Sequence, residues 1–235
     1  MKNFNLSHYL VIGPENTLGR DVLTIIRQAI EAGITFIQIR SKMSEAKEII
    51  DLTNATADLI QQMHQQDKVT LVVNDRLDIV LTCREMGYKV DGIHVGQTDI
   101  PVEVCRKYLG EDAVIGLSAS SKYLIDYVKT ADISAIDYFG AGPLHPTTTK
   151  KDAGYYDGLD QDITLRSFSE LQELATVSPL PVVIGGGVTV KDLPELYATG
   201  VDGYFVVSAI AAADNPYLAA KDLVDTWTQL TQEMK

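Results

Sequence analysis

Cysteine is scarce in this chain, positive charge is outweighed, and long hydrophobic runs are missing. Two cysteines occur in 235 residues, Cys83 and Cys105, with no metal-ligand spacing around them, which argues against both a disulfide framework and a zinc site. The 20 Lys and Arg face 32 Asp and Glu, a net charge of −12. A phosphate backbone demands a basic surface, so nucleic acid is not an expected partner. No apolar stretch approaches the roughly 20 residues that span a bilayer. The start, Met1-Lys2-Asn3-Phe4-Asn5, has no signal-peptide core, so a membrane partner is not expected and the cytoplasm is the expected location. The first strand-to-helix turn, Gly13-Pro14, lacks the G-x-G-x-x-G of dinucleotide-binding sheets. An acidic body still leaves room for small phosphorylated ligands, because a few cations, helix N-termini and a bound Mg2+ make a site locally positive.

What the chain does have is regular alternation of short apolar runs with helical patterns. Strands are expected at 9–12, 35–41, 70–75, 92–95, 114–118, from Ala135, at 181–185 and at 203–208. Helices are expected at 18–32, at 44–65 with Ser44 as N-cap, after Leu77, from Pro101, and at 123–130, 164–176, 191–198 and 218–234. No compositional break marks a linker, so residues 1–235 read as one α/β domain, and eight near-equal units favour a single (β/α)8 TIM barrel over an open sheet. Such barrels carry their reactive groups at the C-terminal ends of the strands.

Those ends are chemically coherent. Gln38, Arg40 and Lys42 alternate and share one face of an extended segment, while Ile37 and Ile39 turn toward the helices. Arg40 and Lys42 suit phosphate oxygens, or would form a solvated ion pair on the rim. Asp75 and Asp99 end neighbouring strands; they are placed either to share a Mg2+ with water and phosphate or to cap the helices that follow. Gly185-Gly186-Gly187, and Val207-Ser208 before an Ala-rich segment, fit the phosphate site of strands 7 and 8, or a tight turn alone. After strand 6, Pro146-Thr147-Thr148-Thr149-Lys150 adds hydroxyls and a cation. His94 faces the barrel interior, for packing or for a ligand, and His145 is expected in solvent. The loop 144–162 is expected to be mobile.

In order and spacing, Gln38-Ile39-Arg40-Ser41-Lys42, Val73-Asn74-Asp75-Arg76, Gly92-Ile93-His94-Val95-Gly96-Gln97-Thr98-Asp99, Gly116-Leu117-Ser118, Gly142-Pro143, Pro146 to Lys150, Gly186-Gly187 and Val207-Ser208-Ala209-Ile210 resemble the motifs of the thiamine-phosphate synthase family. The resemblance implies a (β/α)8 transferase that joins an aminopyrimidine methyl diphosphate to a thiazole phosphate, carboxylated or not, and releases pyrophosphate. It implies that Gln38, Ile39, Arg40, Ser41, Lys42, Asn74, Ser118 and Lys150 bind the diphosphate substrate, with Arg40, Lys42, Ser118 and Lys150 acting in catalysis. Thr147, Thr149, Gly187, Val207 and Ser208 would bind the thiazole phosphate, and Asp75 and Asp99 would hold Mg2+. A few extra residues near 83–90, Ala119-Ser120-Ser121 where the family often has a histidine, and His145 in place of an aromatic depart from the pattern. Two rivals remain at this level: a thiazole tautomerase of the same barrel, and a non-catalytic barrel that binds thiazole phosphate. The oligomeric state is not set by the sequence, and a homo-oligomer fits it as well as a monomer.

Overall fold

Parallel strands buried on both faces need apolar residues at consecutive positions, and runs such as Leu71-Val72-Val73 supply them. The computed structural model describes residues 2, 4–119, 123–147 and 165–233. Among them, strands β1 (His8–Ile12), β2 (Phe36–Ile39), β3 (Thr70–Asn74), β4 (Gly92–Val95), β5 (Val114–Ser118), β6 (Tyr138–Ala141), β7 (Val182–Ile184) and β8 (Gly203–Val206) form a closed parallel barrel in sequence order. Closure pairs β1 with β8, Leu10 opposite Val206. Helices α1 (Val22–Ala32), α2 (Ala46–Gln62), α3 (Leu77–Glu85), α4 (Val102–Leu109), α5 (Leu124–Thr130), α6 (Phe168–Val177), α7 (Leu193–Ala198), a short α8 (Ser208–Ala211) and α9 (Pro216–Glu233) follow the strands. The (β/α)8 expectation therefore holds.

The pleat divides the core in two. Tyr9, Val11, Phe36, Val72, Val114, Tyr138 and Val183 fill the barrel, whereas Leu10, Ile12, Ile37, Ile39, Ile93 and Ile115 face the helices. Phe205 also packs on the inner cluster, and its ring explains Gly185: a Cβ there would lie 2.0 Å from it.

Several expected boundaries move, each for a local reason. Helix α1 starts at Val22 rather than 18, because Asp21 caps the amide of Thr24 at 2.8 Å while Leu18 is left-handed at φ 55°. Glu45, not Ser44, is the N-cap of α2, and its amide donates to Glu48 Oε2 at 3.0 Å. Ser167 caps α6, which begins later than 164. The short helix α8 opens directly after β8, where the sequence pattern suggests continuing strand.

At the N-terminal end of the barrel a clamp recurs before β4, β6 and β8. Asp91, Asp137 and Asp202 each donate a backbone N–H to the carbonyl of Leu71, Ile115 and Val182, respectively. Each carboxylate then accepts the amide of that same residue, at 2.7, 2.7 and 2.8 Å. Arg84 Nη1 donates to Leu109 O at 2.9 Å and Arg106 Nη1 to Ala113 O at 2.7 Å, so these cations are committed to the same end. The 83–90 stretch also lies there, with Arg84 Nε on Val90 O at 2.7 Å, away from the rim.

Helix α9 packs on α1, α7 and α8 and so covers the β1–β8 seam, with Trp227 between the rings of Tyr197 and Tyr204. At that seam buried His8 meets Tyr204 Oη through Nδ1 at 3.2 Å, and burial depresses its pKa from 6.5 to about 4. As pH falls from above 6.5 toward 4, the unfolded chain takes up a proton that the folded chain refuses. His8 should therefore cost the protein about 3 kcal/mol of stability by pH 4. Urea unfolding at pH 7.5 and pH 4 should show this loss reduced in His8→Phe; equal losses in both proteins would refute it.

Candidate active site

The ladder continues one residue beyond β2, since the Arg40 amide donates to Ile12 O at 2.9 Å. Arg40 thus follows Gln38 on the inward side, at the mouth. Among the described residues Arg40 forms no ion pair. Lys42 does: its Nζ lies 2.5 Å from Asp75 Oδ2, which also receives Asn74 Nδ2 at 2.5 Å. The rim ion pair weighed for these two cations exists for Lys42 alone.

Asp75 sits in the left-handed region, φ 61°, with its amide held by His94 O at 2.8 Å. Outside glycine, that conformation costs roughly 1–2 kcal/mol and is tolerated best by Asp and Asn. The N-cap of α3 is Arg76, so Asp75 turns into the mouth instead of capping. Asp99 likewise does not cap α4, whose N-cap is Pro101; its Oδ2 accepts the Gly96 amide at 2.8 Å. Partial burial, then the hydrogen bond with Asp75 and that residue's charge, push the Asp99 carboxyl above its usual pKa, against the Gly96 amide and the Lys42 ammonium. The two carboxyl groups therefore interact at the mouth, and each makes ionisation of the other less favourable.

Across the mouth, the β6 and β7 loops are tied together. Leu144 N donates to Gly185 O and Gly186 O at 3.1 Å, and His145 N to Gly186 O at 2.9 Å. Gly187 is left-handed, φ 77°, and a Cβ on it would stand 2.8 Å from His145 Cβ. His145 remains half exposed, as expected from sequence, and in addition its Nε2 pairs with Asp192 Oδ1 at 2.8 Å. Thr147 is described beside this loop, and Val207 and Ser208 begin α8, whose first amides have no partner within the helix. Thr149, Lys150 and most of the loop expected to be mobile fall outside the described residues.

Ser118 ends β5 at the mouth, and its Oγ lies 2.9 Å from His94 Nε2; His94 Nδ1 in turn meets Tyr138 Oη at 2.9 Å. His94 is therefore a bridge, more than packing and one step removed from the mouth.

Sequence reasoning missed Glu15, in the turn Pro14–Asn16 after β1. Its Oε1 accepts Ser41 Oγ at 2.8 Å, Lys42 N at 2.7 Å and Met43 N at 3.2 Å. Partial burial opposes ionisation, but these bonds together hold its pKa below the usual value. The rule of looking at strand ends would have found it one residue past Gly13-Pro14.

Cations, paired carboxylates and open glycine backbone at the C-terminal mouth of a (β/α)8 barrel define an enzyme built for small anionic substrates. Comparison with known proteins narrows this class. The profile of the family described as thiamine monophosphate synthase matches residues 8–210, and the chain belongs to that family of transferases. It is 35% identical over 218 residues to the thiamine-phosphate synthase of Desulfitobacterium hafniense, covering 93% of each chain. It is also 35% identical over 224 residues to that of Methanobrevibacter smithii, covering 95% of this chain and 96% of the other. Among solved structures it resembles thiamine phosphate pyrophosphorylase from Pyrococcus furiosus, with TM-score 0.78, 25% identity and 96% of each chain covered.

Glu15→Ala should free the Lys42 amide and leave the Met43 amide only its longer bond to Ser41 Oγ, 3.3 Å. Their hydrogen exchange is expected to accelerate by about tenfold or more, the equivalent of one charge-assisted bond, while exchange in α9 stays the same. Unchanged protection at 42–43 would show that the turn holds without Glu15.

Proposed function

We propose that this chain forms thiamine phosphate from an aminopyrimidine methyl diphosphate and a thiazole phosphate, with loss of CO2 when the thiazole is carboxylated. What supports this is the interaction of Asp75 with both Asp99 and Lys42 at the mouth of the barrel, in a member of this family.

In this reading the carbon–oxygen bond to diphosphate breaks first, and its electron pair leaves with the diphosphate. Arg40 and Lys42 stabilise that growing negative charge, each charge-assisted contact contributing about 1.5–3 kcal/mol. Lys150 adds to them by family resemblance. The thiazole ring nitrogen then donates its lone pair to the methylene cation, forming the new carbon–nitrogen bond. Gly187, Val207 and Ser208, with Thr147 and Thr149, hold the thiazole phosphate so that the nitrogen faces the cation and water is kept out. Gln38, Ile39, Ser41, Asn74 and Ser118 position the pyrimidine diphosphate. No protein nucleophile is required.

Mg2+ fits the donor set, since two carboxylates in contact with one of them destabilised as an anion are a site short of positive charge. When bound it would supply charge neutralisation for the diphosphate. Lys42 meets part of that need on Asp75, and a divalent cation there would release the ammonium for substrate.

The tautomerase alternative needs a base at the mouth and has no use for paired aspartates; no histidine follows Ser118, and His94 is held between Ser118 and Tyr138. Incubation with both substrates and Mg2+, with EDTA as control, should give thiamine phosphate and pyrophosphate. Asp75→Asn and Asp99→Asn should each lower turnover by about 100-fold or more while calorimetric titration with thiazole phosphate stays unchanged. Full activity in both variants would remove the metal assignment; ligand binding without product from the wild type would favour a non-catalytic barrel.

A further inference from the structure

Five polar side chains from five strands are joined across the barrel beneath the mouth. Gln38 Nε2 donates to Tyr9 Oη at 2.5 Å, and Tyr9 Oη meets Tyr138 Oη at 3.0 Å. Tyr138 Oη meets His94 Nδ1 at 2.9 Å, and His94 Nε2 meets Ser118 Oγ at 2.9 Å. The interior members are sealed: Tyr138 is 0% exposed, Tyr9 1%, Gln38 3% and His94 8%. Room for the chain is built into the neighbouring strand, because a Cβ on Gly116 would stand 2.4 Å from Tyr138 Oη and 2.5 Å from His94 Nδ1.

Such a chain has only two consistent directions. Each hydroxyl donates one proton, and a neutral imidazole donates from one nitrogen and accepts at the other. With Gln38 donating its amide proton to Tyr9, the order that gives every buried hydroxyl proton and ring nitrogen a partner within the chain runs from Tyr9 to Tyr138, from Tyr138 to His94 Nδ1, and from His94 Nε2–H to Ser118. Any break in that order leaves a buried proton or lone pair without a partner in the chain, at a cost of about 1–3 kcal/mol. Burial raises the pKa of both tyrosines well above the ordinary value, so their protons stay in place.

We propose that Tyr9, Tyr138 and His94 are positioning residues that lock Gln38 and Ser118 into one polarity, so that Gln38 presents its carbonyl as an acceptor and Ser118 its hydroxyl as a donor at the same time. This deepens the function proposed above and rests on it for the ligand, an aminopyrimidine, whose amino donor and ring-nitrogen acceptors complement that pair. Neither end can turn alone. A heterocycle with the opposite pattern, an oxo group in place of the amino group, requires reversal of the whole chain.

The test is nitrogen NMR of the protein labelled in its four histidines, with His94→Gln to assign the signal. Wild type should show His94 as the neutral Nε2–H tautomer. Tyr138→Phe keeps the ring and removes the link, and Gln38→Leu removes the end that sets direction; either should give a tautomer mixture. In the turnover assay Tyr138→Phe should lower kcat/KM for the pyrimidine diphosphate about tenfold, with KM for thiazole phosphate unchanged. The penalties of Gln38→Ala and Ser118→Ala, less than additive in wild type, should become additive in the Tyr138→Phe background. An Nδ1–H or doubly protonated His94 in wild type, a tautomer unmoved by both variants, or additivity in wild type would each overturn the proposal. The NMR signature needs no turnover: its presence in a protein that makes no product would fail the function alone, and its absence would fail the chain alone.

Discussion

Closure of a parallel sheet onto itself is the constraint on which the molecule depends. Once β1 pairs with β8, every strand has two neighbours, and the pleat sends alternate residues into a space with no solvent. That space accepts Phe36, Val72, Val114 and Val183. It also receives Gln38, His94, Tyr9 and Tyr138, whose polar atoms cannot be left unpaired at such burial. Hydrogen bonding to one another is the solution, and it runs from strand to strand until it reaches Ser118 at the open end.

The two ends of the barrel treat charge in opposite ways. At the N-terminal end Arg84 and Arg106 spend their donors on backbone carbonyls, and Asp91, Asp137 and Asp202 clamp the strands, so charge there is consumed by structure. At the mouth Asp99 is held against Asp75, Asp75 is strained, and Arg40 forms no ion pair among the described residues. Unfavourable arrangements that persist are those the surrounding fold over-determines, and here the rigid ladder, together with Glu15 under the 41–43 turn, does so. The overall charge of −12 is therefore no obstacle to anion binding at a rim where cations are locally placed.

The barrel was legible in the sequence because its signal is periodic: apolar runs and helical patterns alternate from β1 to α9, and motif order along the strand ends carried the family. The alternation of Gln38 with Ile37 and Ile39 also read correctly, since it depends only on the pleat. What escaped depends on meetings between distant residues. Tyr9 and Tyr138 look like ordinary core aromatics in their own strands, and only closure brings their hydroxyls together across 129 positions. Glu15 is an exposed turn residue whose partners, in the loop after β2, lie 26 to 28 positions away. His145 stays half exposed, and its partner Asp192 follows a different strand. Helix starts slipped where a local cap outcompeted periodicity, as Asp21 does for α1.

These misses share a direction. Sequence pattern reports which residues a strand delivers to the mouth, because that is a one-dimensional property of each strand. It does not report how the delivered groups are oriented, because orientation is fixed by a hydrogen-bond partner from another strand. For a reaction whose chemistry is mostly the placement of charge and dipoles, the second kind of information decides rate, and the first decides only family. The interior thereby gains a second function: the buried tyrosines fill the barrel and, with the histidine beneath the mouth, their protons set what the mouth can recognise.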